Sequence, residues 1–271
     1  MLLCGCRALT GGAPQPAVPE TAVRETAAPV TGTAKQTDAA PAESTLTEPA
    51  EKAPPTAAEI AALPAGTVLD KSRLTPEITD ALFTAEPLSD AVFRRMDGVT
   101  YTENPHISRD ELCDLRVLHC TPDGDTKIGE LIVNHLIADD LLEIFRALYD
   151  AAYPIEKILP ADEYGGDDDA SMADNNSSCF NYRTVPYKET LSYHARGLAV
   201  DINPLYNPYI DSGKIMPENA APYTDRTADF PMKITKDDLC CRLFREHGFF
   251  WGGFWHNTPD YQHFEMRIPE T

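Results

Sequence analysis

Ser192-Tyr193-His194-Ala195-Arg196-Gly197-Leu198-Ala199-Val200-Asp201 is the segment from which the fold and the chemistry of this chain are read. Seven positions separate His194 from Asp201, an odd number, so on one regular strand the two side chains face opposite ways. Gly197 relieves the conflict, because a turn or bulge at a glycine re-aims the chain. Beyond it Ala199, Asp201 and Asn203 are expected on one face, with Val200 and Ile202 packed into a core on the other. His194 and Asp201 then converge on one point.

Downstream, Asp260-Tyr261-Gln262-His263-Phe264-Glu265-Met266-Arg267-Ile268 ends in strict alternation. Phe264, Met266 and Ile268 are expected to face a core, and His263, Glu265 and Arg267 a cleft or solvent. Catalytic zinc sites take three protein ligands from His and carboxylate and leave one position for water. His194, Asp201 and His263 meet that requirement. Asp260 stands three residues before His263, within reach of such a water. A lone histidine is more often structural; two histidines, one aspartate and the glycine between them reverse those odds.

Between and before these segments the elements alternate. Leu115 to Cys120 and Ile128 to Val133 read as a hairpin around Pro122-Asp123-Gly124-Asp125. Ile137, Leu141, Ile144, Phe145 and Leu148 recur at helical spacing, with Pro154 as a stop. After a short apolar stretch, Ile155 to Leu159, residues 162–178 read as an acidic loop. Its Asp167-Asp168-Asp169 and Asn175-Asn176 suit a hard cation such as calcium, but the EF-hand register is missing, which favours a solvated loop. A second helix is expected with Thr235 as N-cap, Asp237 and Asp238 in its first turn, Leu239, Leu243 and Phe244 on one face, and Gly248 closing it. The order implies an α+β domain, a small antiparallel sheet flanked by helices.

The two motifs SxHxxGxAxD and DxxHFE, with Trp251-Gly252-Gly253-Phe254-Trp255 between them and Asn176-Ser177-Ser178-Cys179-Phe180-Asn181-Tyr182-Arg183 upstream, resemble a known family. These are the zinc D-alanyl-D-alanine carboxypeptidases and L-alanyl-D-glutamate endopeptidases that share a fold with the hedgehog signalling domain. The likeness covers roughly residues 125–268. It implies His194, Asp201 and His263 as ligands of one zinc ion and Asp260 as general base, where many members have Glu. It implies Arg183 as the group that stabilises the developing oxyanion, although an arginine paired with the acidic loop looks the same. Ser192 matches a polar position at the mouth of the site, and Glu265 is expected to support His263. Trp251 and Trp255 are either a wall of the substrate pocket or packing against Gly252 and Gly253. The chemistry also fits zinc-activated water with Asp260 as proton acceptor. No GxSxG elbow and no SxxK pair suggests a serine route. The implied activity is removal of a terminal D-alanine from the peptidoglycan stem peptide by a monomer. An L-alanyl-D-glutamate endopeptidase, a non-catalytic zinc-containing wall-binding module and a calcium-stabilised adhesion or scaffolding lipoprotein are the alternatives.

The remaining histidines read as structural or without role: His247 at a helix end, His256 in a loop or at the cleft, and His106, His119 and His135 without sequence partners. Of the chain's 271 residues, the first 60 contain no Phe, Tyr or Trp and hold eight of the 23 prolines. Residues 7–60 are therefore expected to be a disordered Ala/Pro/Thr-rich tether and residues 61–271 the peptidase domain. Leu3-Cys4-Gly5-Cys6 fits the pattern preceding a lipid-modified cysteine, which makes residues 1–6 the remnant of a lipoprotein signal and Cys6 a membrane anchor facing the cell wall. The apolar stretch before it is short, so either the start lies upstream or the match is accidental. The net charge is -20, which argues against nucleic acid as a partner. Of the seven cysteines, none forms a CxxC; Cys113 and Cys120 either pair or stay as buried thiols.

Overall fold

The computed structural model describes residues 55–185 and 189–268. The tether, the Cys6 anchor and their boundaries at residues 6 and 7 lie outside those residues. The folded chain begins earlier than the expected residue 61: α1 (Ala57–Ala61) carries a full Thr56/Glu59 capping box and buries Ile60, an apolar residue strong enough to anchor one turn.

Then follow β1 (Val68–Leu69), α2 (Pro76–Asp80), β2 (Thr84–Pro87), α3 (Asp90–Met96), β3 (Leu112–Cys120), β4 (Thr126–Asn134) and α4 (Ala138–Asp150). Next come β5 (Lys157–Ile158), α5 (Asp168–Ala173), β6 (Asn176–Ser177), β7 (Ala199–Asp201), β8 (Tyr209–Asp211), β9 (Lys214–Met216), α6 (Leu239–Glu246), β10 (Phe250–Trp251) and β11 (His263–Glu265). The fold is α+β, with two larger antiparallel sheets where one was expected, beside the antiparallel hairpin β8-β9 and the parallel pair β5-β6. The first runs β1-β4-β3-β2 and the second β10-β11-β7. Leu141, Ile144, Phe145 and Leu148 of α4 share one core with Leu115 and Val117 of β3, Leu131 and Val133 of β4, Val200 of β7, Phe244 of α6 and Phe264 of β11. Helical periodicity on one side and strand alternation on the other thus fill the same dry layer, the main source of stability in such a domain.

Several local expectations change. Residues 162–178 are not a solvated loop: they form a 3-10 turn, α5 and β6. The acids there have local work. Asp167 caps α5 through the Ala170 amide, Asp162 pairs with Arg95, and Asn176 bonds Leu159 and Ser171. These side chains are therefore engaged with the protein. Asp238, not Thr235, caps α6, accepting from the Cys240 amide at 2.8 Å. α4 ends at Asp150, ahead of Pro154. Ile268 is exposed because β11 stops at Glu265. Asn203 leaves the strand with φ +46° and instead bonds Pro154 and Glu156. Cys113 and Cys120 sit at opposite ends of β3, roughly 23 Å apart at strand rise, and both are free and buried.

The two sheets are joined at Gly197. Its carbonyl accepts from the Asn134 amide at 2.9 Å, and the Arg196 carbonyl from the Asn134 side chain at 3.1 Å. Gly197 has φ +64°, and a Cβ there would stand 2.7 Å from the Asn134 nitrogen. Both the conformation and the close approach require glycine. Gly197→Ala is expected to lower stability by about 2 kcal/mol or more, read as a shift of the urea midpoint. A second expectation concerns His119, buried on β3 with Nδ1 bonded to the Ile155 carbonyl at 2.8 Å. Burial pushes its imidazole down to about 4. The unfolded chain takes up the proton near 6.5, so stability falls as pH drops from about 6.5 to about 4. At pH 5 the loss is about 2 kcal/mol, and His119→Gln should remove that increment from the difference between urea midpoints at pH 7 and pH 5.

Candidate metal centre

β7 and β11 pair antiparallel with Asp201 directly opposite His263 and Val200 opposite Phe264. Facing residues point to the same side, so the apolar pair enters the core and the polar pair meets on the other side. His194 is not on a strand. It sits in a 3-10 turn, Tyr193–Arg196, started by Ser192, whose Oγ accepts from the His194 amide at 3.2 Å, and ended by left-handed Gly197. The turn absorbs the odd spacing and swings His194 over β7.

Three atoms then converge. His194 Nε2 lies 3.1 Å from His263 Nδ1, His263 Nδ1 lies 3.0 Å from Asp201 Oδ1, and His194 Nε2 lies 3.2 Å from Asp201 Oδ2. All three residues are buried. The far side of each ring is fixed: His194 Nδ1 bonds the Cys179 carbonyl at 2.6 Å, and His263 Nε2 bonds Glu265 at 3.2 Å. Carbonyl and carboxylate accept only, so each ring donates outward and keeps its other nitrogen for the inward side, where a metal ion would take the place of a proton. Ligand atoms about 2.0–2.1 Å from a tetrahedral zinc stand about 3.3 Å apart. The donor set and its spacing therefore fit one such ion.

The electrostatics agree. Burial works to raise the Asp201 carboxyl, but His194 and His263 hold it well below the usual range. Burial disfavours a charged His263, yet Asp201 and Glu265 outweigh it and lift its imidazolium to about 10. The cluster demands a positive charge, supplied by a proton or by a metal ion competing with it. Arg267, 2.6 Å from Glu265, helps keep that second carboxylate ionised.

A cavity of about 550 Å³ opens on the cluster, lined also by Arg183, Ser192, Trp255, Asp260 and Glu265. Asp260 is half-buried, and its Oδ1 has no partner among the described residues. Burial pushes its carboxyl up to about 7, with His263 opposing and Asp201 adding. Gly252 makes room for it: a Cβ there would come 2.7 Å from the Asp260 carbonyl oxygen and 3.3 Å from His263 Cβ. Arg183 lines the cavity and is paired with Asp168 at 2.7 Å, so the expected pairing with the acidic stretch is present. Trp255 flanks His263 with ring centres 5.4 Å apart. Trp251 is a core residue instead, stacked on Phe264 and donating to the Tyr261 carbonyl, because Gly253 leaves room for its ring.

The Cys179 carbonyl behind His194 was not legible in the sequence, because a backbone group has no residue signature. Tyr209, whose hydroxyl is pushed up to about 12 by burial and by Asp211 and Asp260, also lines the cavity. Its only signal was the turn-rich Asn207-Pro208 before it.

No curated protein and no solved structure gives a significant match to the chain. Residues 187–266 match the family model described as D-alanyl-D-alanine carboxypeptidase. That stretch contains His194, Asp201, Asp260 and His263, and it is in this part that the chain is similar to the D-alanyl-D-alanine carboxypeptidase family.

Proposed function

We propose that this protein is a zinc-dependent D,D-carboxypeptidase of bacterial peptidoglycan, removing the terminal D-alanine of a stem peptide. The observation that carries the reading is the convergence of His194, Asp201 and His263 at 3.0–3.2 Å in a cavity shared with Asp260, whose Oδ1 has no hydrogen-bond partner among the described residues. His194 and His263 would hold the ion through Nε2 and Nδ1, and Asp201 through its carboxylate. Zinc bound there polarises the scissile carbonyl and acidifies a water.

The protein's own groups do the rest. Asp260, with a pKa pushed toward neutrality by burial, takes the proton of the attacking water and delivers it to the leaving amine of D-alanine. Arg183 faces the charge that develops on the carbonyl oxygen, and Asp168 fixes its position. Glu265 holds His263 in the tautomer that directs Nδ1 inward. Trp255 covers one side of the cavity. The Ala/Pro/Thr-rich composition of residues 7–60 supports a tether and the Leu3-Cys4-Gly5-Cys6 pattern a lipid anchor at Cys6, which would place a monomeric domain at the wall.

Full-length protein is expected to contain about one zinc per chain by elemental analysis and to release D-alanine from a pentapeptide stem. Asp260→Ala should retain the metal and lose about 10²–10⁴ in kcat/KM. Zinc retained with activity intact refutes the role of Asp260, and zinc absent refutes the centre. Cleavage between L-alanine and D-glutamate without D-alanine release would reassign the bond to the endopeptidase class. Because the metal-free His263 keeps its proton up to about 10, zinc binding at pH 7.5 should expel about one proton and tighten as pH rises. Calorimetry in buffers of different ionisation enthalpy reads that number directly.

A further inference from the structure

β8 and β9 form a hairpin closed by Ser212 and Gly213, both with positive φ, +50° and +83°. Such a two-residue turn makes Asp211 and Lys214 the hydrogen-bonded closing pair. The next pair, Ile210 and Ile215, is then a non-hydrogen-bonded one. Consistent with this, the Ile210 amide points outward and donates to the Pro259 carbonyl at 2.9 Å. That bond ties the outer edge of β8 to the segment carrying Asp260.

By the same register the N–H and C=O of Ile215 point away from β8 on the opposite edge. No hydrogen bond to either occurs among the described residues. The neighbouring positions on this edge are blocked. Pro217 has no N–H and its carbonyl accepts from Ala220, while Gly213 belongs to the turn. Ile215 is therefore a single donor and acceptor pair exposed on an otherwise blunt strand. It faces a second cavity of about 980 Å³, whose other wall includes Asp169 and Ala173 of α5. Met216 lines both this cavity and the one over the His–Asp–His cluster, so the two lie next to each other at one side chain.

We propose that the Ile215 edge is a peptide-docking subsite: the part of an extended peptide substrate upstream of the scissile bond adds to β9 as a short strand, exchanging one backbone N–H and one C=O with Ile215. The inference rests on the peptidase reading for the identity of the occupant, and on adjacency to the metal cavity at Met216 for its direction. Backbone pairing supplies affinity without reading side-chain identity, which leaves discrimination to the metal cavity.

The test uses full-length protein carrying Asp260→Asn, and calorimetric binding of a pentapeptide ending in D-alanyl-D-alanine. Single N-methylation is scanned along the upstream amides. One position should weaken binding roughly 2- to 10-fold, the scale of one hydrogen-bonded pair, and Ile215→Pro should erase that position's effect. In the otherwise unmodified enzyme, Ile215→Pro should lower kcat/KM for the pentapeptide by a similar factor. Turnover of N-acetyl-D-alanyl-D-alanine, too short to reach the edge, should be unchanged. A flat N-methyl scan, or equal losses on both substrates, overturns the proposal. The scan leaves the protein intact, so it decides the matter even if the proline variant fails to fold. Failure to hydrolyse any peptide refutes the peptidase reading instead, and the binding scan separates the two.

Discussion

The antiparallel pairing of β7 with β11 is the constraint on which the site depends. Val200 and Phe264, paired across the two strands, are fully buried in the main core, and that burial sets the register. Because strand side chains alternate, the same register puts Asp201 beside His263; a slip of one residue would send both into the apolar layer. The hydrophobic core thereby fixes two of three converging groups without contacting them. The third arrives through Gly197, where the absence of a side chain lets the turn press against the end of β4. Three ionisable groups are buried at that junction, and their mutual bonds, with Cys179 and Glu265 behind them, offset the cost of dehydration.

Much of this was legible in the sequence, and for identifiable reasons. The hairpin and α4 rest on long apolar patterns, which tertiary packing reinforces rather than overrides. His194, Asp201, Asp260 and His263 stood in motifs whose spacing carries geometric meaning, and the structure brings all four to one cavity. The acidic stretch misled because charge density looks like solvation. Two of its carboxylates are instead partners for arginines elsewhere in the chain, Asp162 for Arg95 of α3 and Asp168 for Arg183, and Arg95 also reaches Glu130 of β4, where Arg116 joins it. Such pairings are invisible until the chain is folded. The Thr235 cap lost to Asp238 for a local reason, since the first hydrogen-bonded turn begins three residues later. Trp251 and Trp255 were indistinguishable in sequence, and only the glycines beside them decided which ring went inward.

The acidity of the chain takes on a local meaning in this light. Asp114, facing Glu130 within the same group of charges, has its carboxyl pushed up to about 6 by burial and by that glutamate, against the pull of Arg116 and Arg95. The acids around β3 and β4 thus outnumber their guanidinium partners in a confined space. Part of the domain's negative charge is a structural filling between α3, the first sheet and the turn at residues 161–164.

The five cysteines among the described residues are all unpaired and buried, with thiols such as Cys113 and Cys241 pushed up to about 12 and about 11 by burial. A thiol held neutral and out of water neither oxidises nor reacts at an appreciable rate. These sulfurs therefore act as silent reporters: their rate of alkylation under native conditions measures how often the core of each sheet opens, element by element. The fold needs no oxidant to complete itself, and it keeps its own record of breathing.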